Sequence, residues 1–201
     1  MTVKRYNPPH IYLDDREYYL SAATFGRKPL FSSGEHKRVL QDILKEKIQL
    51  FSVKLYAWVI LDNHYHLLIR VTEKEMLHKF IRHLHGASAF RLNQLDKCKG
   101  RRVWWNYWDH CPRNEKDFYT FFNYIHINPI KHSKITMRDE IIFRDGDQTS
   151  MTTEVIVDLH DTLNKYEFSS YPHYLRKYGG DGMTHVWMDY PLIHHLADDD
   201  L

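Results

Sequence analysis

The sequence has 201 residues, of which 43% are hydrophobic and 14% aromatic, so the chain can bury a core and is not disordered. Its 28 Lys and Arg residues nearly balance 26 Asp and Glu residues, which excludes a uniformly basic surface for nucleic acid. Any basic footprint must therefore be local.

The cysteine content and the hydropathy pattern exclude two further classes. Cys98 and Cys111 are too few for a disulfide framework or for a zinc site built on paired cysteines. No apolar run approaches the roughly 18 residues that a membrane span requires. We therefore expect a cytoplasmic protein with one main domain and no membrane partner.

The first elements alternate between strand and helix patterns. Residues 1–16 are polar and predict an arm, and Tyr18–Phe25 is rich in aromatic and small residues, which predicts the first strand. Ser32 and Glu35 form a capping-box pattern before apolar residues at helical spacing. This pattern predicts the first helix.

The next elements are a hairpin and a second helix. Two apolar runs, over residues 51–61 and 64–71, flank the short turn Asp62-Asn63, which predicts the second and third strands. Thr72 and Glu75 then form a second capping pattern, and helical spacing continues to about residue 95.

The remaining elements define the fold class. Val103–Tyr107 predicts a fourth strand, and Glu115–Asn128 predicts a third helix that ends at Pro129. The order βαββαβ is that of an α+β, ferredoxin-like fold, an antiparallel sheet with two helices on one face. The third helix is additional to this arrangement.

The domain organisation follows from this pattern. We expect one main domain over residues 1–135 and a C-terminal extension, partly packed on it, over 136–201. In the extension, residues 144–153 are typical of a loop, and the aromatic segment 167–178 can pack back on the domain.

Two histidines in the third strand are candidate metal ligands. His64 and His66 project from one strand face, whereas Tyr65, Leu67 and Ile69 project from the other. Neutral imidazole is the commonest nitrogen ligand of divalent metals. Two ordinary histidines on a half-exposed strand would give the same pattern. Because Leu67 and Ile69 suit the helix-covered face, we expect the histidine face to be open.

The third helix carries a tyrosine and an asparagine on one flank. Tyr124 and Asn128 lie one turn apart, within ~40° of each other around the helix axis. They flank a stripe of apolar residues expected to be buried, which are Phe118, Phe121, Phe122 and Ile125. Helix geometry alone leaves two structural alternatives: Tyr124 at the core boundary, and Asn128 as a helix end before proline.

The histidine strand and the tyrosine helix both resemble motifs of a known protein family. Asp62–Ile69 resembles the His-hydrophobic-His motif of the HUH single-tyrosine, IS200-like transposases, and Tyr124–Lys131 resembles the tyrosine helix of their REP-associated branch. Trp104–Glu115 and Phe168–Tyr171 also resemble segments of that branch. The resemblance covers most of residues 17–135 in the same order and spacing.

The sequence departs from the family in three places. The first strand is only loosely similar, and Tyr65 is bulkier than the usual aliphatic residue. Residues 136–165 have the character of an insertion, so the resemblance says nothing about them. His110 matches a family position to which we assign no role.

The resemblance implies an activity. His64, His66 and Asn128 would hold Mg²⁺ or Mn²⁺, and Tyr124 would attack a DNA phosphate to leave a 5′-phosphotyrosine and a free 3′-OH. The implied function is metal-dependent nicking and rejoining of single-stranded or hairpin (REP-like) DNA by a transposase. Family members occur both as homodimers and as monomers, so both states stay open.

A basic and aromatic segment is the candidate DNA-binding surface. Basic side chains that contact the phosphates and aromatic rings that stack on the bases are typical of proteins that bind single-stranded DNA. The candidate residues are Lys97, Lys99, Arg101, Arg102, Trp104 and Arg113. A solvated turn beside core tryptophans would give the same pattern.

Two other functions fit the same residues. The first is a non-cleaving regulator, derived from a transposase, that binds hairpin or single-stranded nucleic acid. The second is a zinc hydrolase that uses the histidine pair, which would need a third histidine or a carboxylate converging on that pair.

Overall fold

The computed structural model describes residues 13–132 and 153–190. The predicted arm before residue 13, the domain boundary at 135 and the loop up to residue 152 lie outside the described residues. No helix within the described ranges combines the length and apolar character needed to cross a membrane.

The elements are β1 (Arg16–Thr24), α1 (Gly34–Leu50), β2 (Lys54–Ile60), β3 (His64–Val71), α2 (Lys74–Leu95), β4 (Trp104–His110), α3 (Glu115–His132), α4 (Thr153–Asn164) and α5 (Tyr171–Asp189).

The four strands form one antiparallel sheet with the order β2-β3-β1-β4. In the central pair, Ser21 of β1 lies opposite His66 of β3, and Ala23 lies opposite His64. Since α1 and α2 pack on one face of this sheet, the predicted α+β, ferredoxin-like fold is confirmed.

The sheet separates two hydrophobic cores. Tyr65, Leu67 and Ile69 point into the core beneath α1 and α2, whereas Leu68 points into the other. That second core contains residues of α3, α4 and α5, namely Phe121, Tyr124, Ile125, Leu159, Tyr171, Met183 and Trp187. The prediction of an open second face is therefore wrong, because the apolar faces of three further helices cover it.

Two helix caps differ from the predicted ones. The hydroxyl of Ser33, not Ser32, accepts a hydrogen bond from the backbone N–H of His36 at 3.1 Å and caps α1. At α2, the carboxylate of Asp14 accepts from the backbone N–H of Lys74 at 2.9 Å, so Thr72 is not the cap. A capping group from 60 residues away leaves no local pattern in the sequence.

The predicted end of α3 at Asn128 is also wrong. The helix continues through Pro129 to His132. An interior proline removes the hydrogen bond to the carbonyl four residues earlier and costs about 3 kcal/mol. The side chain of Ile130 is buried in the second core, and this packing favours the extra turn. As a result Lys131 stays on the helix, two turns beyond Tyr124.

The segment Phe168–Tyr171, which the resemblance singled out, covers the outer edge of β2. The backbone N–H of Ile60 donates to the carbonyl of Phe168 at 2.9 Å, and that of Ser170 donates to the carbonyl of Trp58 at 2.9 Å. Ser169 forms a β-bridge with Val59 between these bonds. The segment therefore satisfies backbone groups that an edge strand would otherwise expose.

A mostly buried histidine makes the stability depend on pH. His85 Nε2 lies 2.8 Å from the Tyr65 hydroxyl, and burial lowers the pKa of His85 to about 3. The unfolded chain takes up this proton near pH 6.5, so between these values the unfolded state binds more protons. We expect His85 alone to lower the free energy of unfolding as pH falls, by up to about 1.4 kcal/mol per pH unit below pH ~6.

Urea denaturation between pH 4 and pH 8 measures this effect. We expect His85→Gln to reduce the slope of the unfolding free energy against pH by the contribution of about one bound proton. The matched control is His78→Gln, because His78 is exposed on the same helix. An equal slope in both variants would show that His85 does not carry the effect.

Candidate metal and tyrosine site

His64 and His66 lie side by side on the face of β3 that meets α3. Their ring centroids are 4.9 Å apart, with the planes at 78°. The side chains are 6% and 1% exposed, respectively. The strand alternation thus brings the two imidazoles together, as predicted, although in a buried position and not on an open face.

Each imidazole is oriented through Nδ1. His64 Nδ1 lies 2.7 Å from Asn63 Oδ1, and since an amide oxygen only accepts, His64 Nδ1 carries the proton. Nε2 of His64 then bears the lone pair that a metal requires. His66 Nδ1 lies 2.7 Å from the hydroxyl of Tyr19, a residue of β1. Tyr19 and Asn63 are thus orienting residues for the pair that the sequence pattern did not identify.

Helix α3 places Tyr124 against the histidine pair. The rings of Tyr124 and His66 meet edge to face, with centroids 5.4 Å apart, and Tyr124 also lies 6.2 Å from the ring of Tyr19. The tyrosine and the histidines therefore lie on the same side of the sheet. The predicted meeting of the third helix with the histidine strand is what the structure shows.

Asn128 lies one helical turn beyond Tyr124 and is completely buried. Within the described residues, neither Oδ1 nor Nδ2 of its amide has a hydrogen-bond partner. A buried amide without partners costs about 1–3 kcal/mol for each unpaired group, so it needs an explanation. An amide oxygen is a suitable ligand for a hard divalent cation, so Oδ1 of Asn128 is a candidate metal ligand.

Among the described residues, no third histidine or carboxylate joins the histidine pair to complete the ligand set of a zinc hydrolase. Across residues 13–132 and 153–190, no group of three or more His, Cys, Asp and Glu side chains is arranged to hold a metal ion. The three candidate ligands in the structure are two imidazoles and one amide. Such a mixed nitrogen and oxygen set suits Mn²⁺ or Mg²⁺.

Lys131 reaches the tyrosine from the last turn of α3. Its ammonium nitrogen donates to the Tyr124 hydroxyl at 3.3 Å and lies 5.2 Å from the centre of the ring. No role was predicted for Lys131, which lies beyond the predicted end of the helix at Asn128. The spacing of seven residues on one helix was the signal that could have identified it.

The side chain of Tyr124 is fully buried in this conformation. A DNA phosphate can reach the hydroxyl only after part of the surrounding structure moves. The Tyr124 hydroxyl is therefore closed to a phosphate in this conformation.

A hydrogen-bond network anchors α3 to the edge of the sheet. His126 Nε2 lies 2.7 Å from the Ser170 hydroxyl, which also accepts from the backbone N–H of Trp58 at 2.9 Å. Burial lowers the pKa of His126 to about 3, so the imidazole is neutral at physiological pH. His126 lies two residues from Tyr124 and two residues from Asn128, so this network fixes the helix that carries both.

We expect Ser170→Ala to destabilise the fold by about 1–3 kcal/mol, because it removes a hydrogen-bond partner of buried His126 Nε2. Thermal unfolding would show this as a lower melting temperature, by about 2–4 °C for each kcal/mol. Ser32→Ala, at an exposed serine, is the control and should unfold as wild type does. Equal melting temperatures in both variants would exclude Ser170 as an anchor.

The predicted DNA-binding residues divide into two groups. Lys97, Lys99 and Arg102 are exposed around the turn after α2, and Arg113 is exposed before α3, 3.3 Å from Asp117. These four cations lie where DNA could meet them.

The other two predicted DNA-binding residues have structural partners. Arg101 forms a 2.6 Å ion pair with Asp96. Trp104 is 6% exposed, stacks on Phe31 and donates from Nε1 to the Ser88 hydroxyl at 2.9 Å. A buried indole offers no face to a base, so the structure places Trp104 in the first core and not on a DNA surface.

Comparison with known proteins finds similarity to one curated protein and to solved structures. A REP-associated tyrosine transposase of Escherichia coli (strain K12) is 25% identical over 130 residues, which cover 58% of this chain and 72% of the relative. Among solved structures, a REP-associated tyrosine transposase bound to a REP hairpin has the same fold, with a TM-score of 0.60 and 17% identity over 86% of each chain. A putative transposase from Deinococcus radiodurans is 25% identical, covering 52% of this chain and 85% of its own, with a TM-score of 0.41.

The family model for IS200-like transposases matches residues 15–127. This range is more than half of the chain and contains the histidine pair and Tyr124, whereas Asn128 follows directly after its end. The chain therefore belongs to the IS200-like transposase family.

Proposed function

We propose that this transposase-family protein nicks and rejoins single-stranded DNA in a metal-dependent reaction, through a 5′-phosphotyrosine on Tyr124. The observation that carries the proposal is the contact between Tyr124 of α3 and His66 of β3, with ring centroids 5.4 Å apart. A nucleophile next to a pair of metal-ligand side chains is the arrangement that phosphoryl transfer requires.

Three side chains would hold the metal: His64 and His66 through imidazole nitrogens, and Asn128 through its amide oxygen. The buried Asn128 amide, unpartnered within the described residues, supports this assignment. Bound Mg²⁺ or Mn²⁺ would withdraw charge from the phosphate and stabilise the 3′-oxygen as it leaves. Asn63 and Tyr19 hold the two imidazoles in orientation through Nδ1.

In the forward step the Tyr124 oxygen loses its proton and forms a bond to phosphorus, while the bond from phosphorus to the 3′-oxygen breaks. The 3′-oxygen takes up a proton, and the 5′-phosphate stays on Tyr124. Rejoining reverses these bonds, with a 3′-OH as nucleophile and Tyr124 as leaving group, so neither ATP nor an oxidant is consumed.

Lys131 supports both directions of this reaction. A phenol is mostly protonated at neutral pH, so its oxygen is a weak nucleophile without electrostatic help. The Lys131 ammonium, 3.3 Å from that oxygen, would stabilise negative charge on it during attack and again when the tyrosine leaves.

We propose hairpin-bearing single-stranded DNA as the substrate. A structural relative is bound to a REP hairpin. The exposed cations Lys97, Lys99, Arg102 and Arg113 supply positive charge that a DNA backbone needs.

We assign the chemistry to residues 1–135 and a supporting role to the extension 136–201. Tyr171, Met183 and Trp187 of α5 fill the second core beneath the catalytic helix. Removing the extension would therefore expose the apolar side of α3 that positions Tyr124.

The test is the formation of a covalent adduct. The protein is incubated with hairpin-bearing single-stranded DNA and Mn²⁺, and the denatured products are separated by electrophoresis. DNA labelled at its 3′ end should migrate with the protein, DNA labelled at its 5′ end should be released, and EDTA should prevent both. Release of both fragments without an adduct would contradict the proposal.

The burial of Tyr124 supports a second candidate function, a non-cleaving regulator that binds hairpin or single-stranded nucleic acid. Its side chain is 0% exposed and its hydroxyl accepts from Lys131, so the site is closed to a phosphate in this conformation. Tight binding of hairpin DNA without any adduct in the same assay would favour the regulator.

A further inference from the structure

Three exposed side chains contact one another beside the end of β1, with the planes of the two aromatic rings tilted at 45°. Phe25 lies in the 3-10 turn Phe25–Arg27 and Trp105 lies in β4, and their ring centroids are 5.3 Å apart. The guanidinium carbon of Arg102 lies 4.7 Å from the centre of the Phe25 ring and 4.6 Å from that of Trp105. Both rings are 36% exposed. We call this group the Phe25–Arg102–Trp105 stack.

The stack is connected to the histidine pair through Asn63. The backbone N–H of Thr24 donates to the carbonyl of Asn63 at 2.8 Å. The side-chain amide of Asn63 donates to the carbonyl of Arg27 at 3.2 Å, and its oxygen accepts from His64 Nδ1. One asparagine therefore joins the turn that carries Phe25 to a proposed metal ligand.

The turn that carries Phe25 has a constrained backbone. Gly26 and Arg27 both have positive φ angles, +67° and +52°. The left-handed region is unfavourable for an arginine, so the surrounding structure must stabilise it. The hydrogen bond from Asn63 to the Arg27 carbonyl contributes to that stabilisation. Strained backbone of this kind is often found next to functional sites.

The chemistry of the stack fits a nucleobase. Aromatic rings and the planar guanidinium group stack on bases of any sequence, and the charge of the guanidinium attracts the phosphates on either side. An apolar protein partner would fit less well, because the guanidinium of Arg102 contacts both rings and Lys28 is exposed after the same turn. The combination of rings and cations favours single-stranded DNA.

We infer that an unpaired base in the single-stranded flank of the hairpin stacks on Phe25, Arg102 and Trp105, beside the site that cuts the DNA. This inference rests on the proposed function and gives that site a subsite for the nucleotides next to the cleaved phosphate. Stacking positions the backbone, and the link through Asn63 keeps the bound base in register with His64.

The test measures binding of two DNAs in a Tyr124→Phe background, where no DNA is cut. One DNA is a hairpin with a single-stranded flank and the other is the blunt hairpin. We expect Trp105→Ala and Phe25→Ala each to weaken binding of the flanked hairpin about 10-fold, with no change for the blunt hairpin. Trp105→Phe should keep most of the affinity because it keeps a ring.

Phe90→Ala is the matched control, since Phe90 is an exposed aromatic residue, 63% accessible, on α2. A 2-aminopurine base placed in turn along the flank gives a direct readout. At one position, the 2-aminopurine fluorescence should be quenched by the parent protein and by Phe90→Ala, but not by Trp105→Ala. Unchanged affinity in Trp105→Ala, or an equal loss for both DNAs, would overturn the inference.

The two proposals fail in different ways. If the protein with Tyr124 intact forms no adduct, the cutting activity is excluded, but the difference between flanked and blunt hairpins still tests the stack. If an adduct forms and the stack variants bind both DNAs as the parent protein does, the subsite is excluded and the cutting activity stands.

Discussion

Tyr124→Phe is expected to abolish the covalent protein–DNA adduct completely while leaving the affinity for hairpin DNA unchanged. The substitution removes only the oxygen that would bond to phosphorus. The ring of Tyr19 also lies near His66, at 5.6 Å, but its hydroxyl already lies 2.7 Å from His66 Nδ1. The ring of Phe keeps the packing of α3 on the sheet. Electrophoresis of denatured products measures the adduct, and fluorescence anisotropy measures the affinity.

The control for this experiment is Tyr119→Phe, on the same helix. The Tyr119 ring stacks on Tyr190 at a centroid distance of 4.4 Å, away from the histidine pair. This variant should form as much adduct as the wild type. An adduct of normal yield in Tyr124→Phe would show that another group is the nucleophile, and the proposed mechanism would then be wrong.

Lys131→Met is expected to slow adduct formation at saturating DNA by about 10²–10³-fold, the usual cost of removing one donor from a developing negative charge. The methionine keeps the length and much of the apolar character of the lysine side chain. Lys131→Arg should recover part of the rate, because it restores a cation near the Tyr124 oxygen. Single-turnover kinetics measures the rate directly.

A separate binding measurement distinguishes this role from simple attraction of DNA. If Lys131 acts on the Tyr124 oxygen, the rate at saturation falls and the dissociation constant changes little. Lys116→Met is the matched control, at an exposed lysine on the first turn of α3. A loss of affinity with a normal rate at saturation would instead make Lys131 a phosphate contact.

Several features of the fold could be predicted because they depend on local periodicity. The two-residue repeat of β3 assigned Tyr65 and Leu67 to the helix-covered face, and the structure confirms that assignment. The same repeat brought His64 next to His66. Helical spacing likewise placed Phe121 and Ile125 in the buried stripe of α3.

Other features could not be read from short segments. The cap of α2 comes from Asp14, which is distant in sequence, and α3 passes through Pro129. Trp104 looked like part of a basic and aromatic DNA surface, but its ring lies in the first core. In each case a contact with a distant part of the chain outweighs a local preference of well under 5 kcal/mol.

The sequence by itself determined the order of strands and helices from β1 to α3, the shared face of the two histidines and the flank of α3 that carries Tyr124, because strand and helix periods are properties of consecutive residues. It did not predict α4 and α5 as helices. Only the tertiary structure decided that the histidine face is covered and that Lys131 reaches the Tyr124 hydroxyl. It also brought Phe25, Trp105 and Arg102 into contact. These pairings depend on how separate elements pack, and burial of the apolar face of each helix and strand selects that packing.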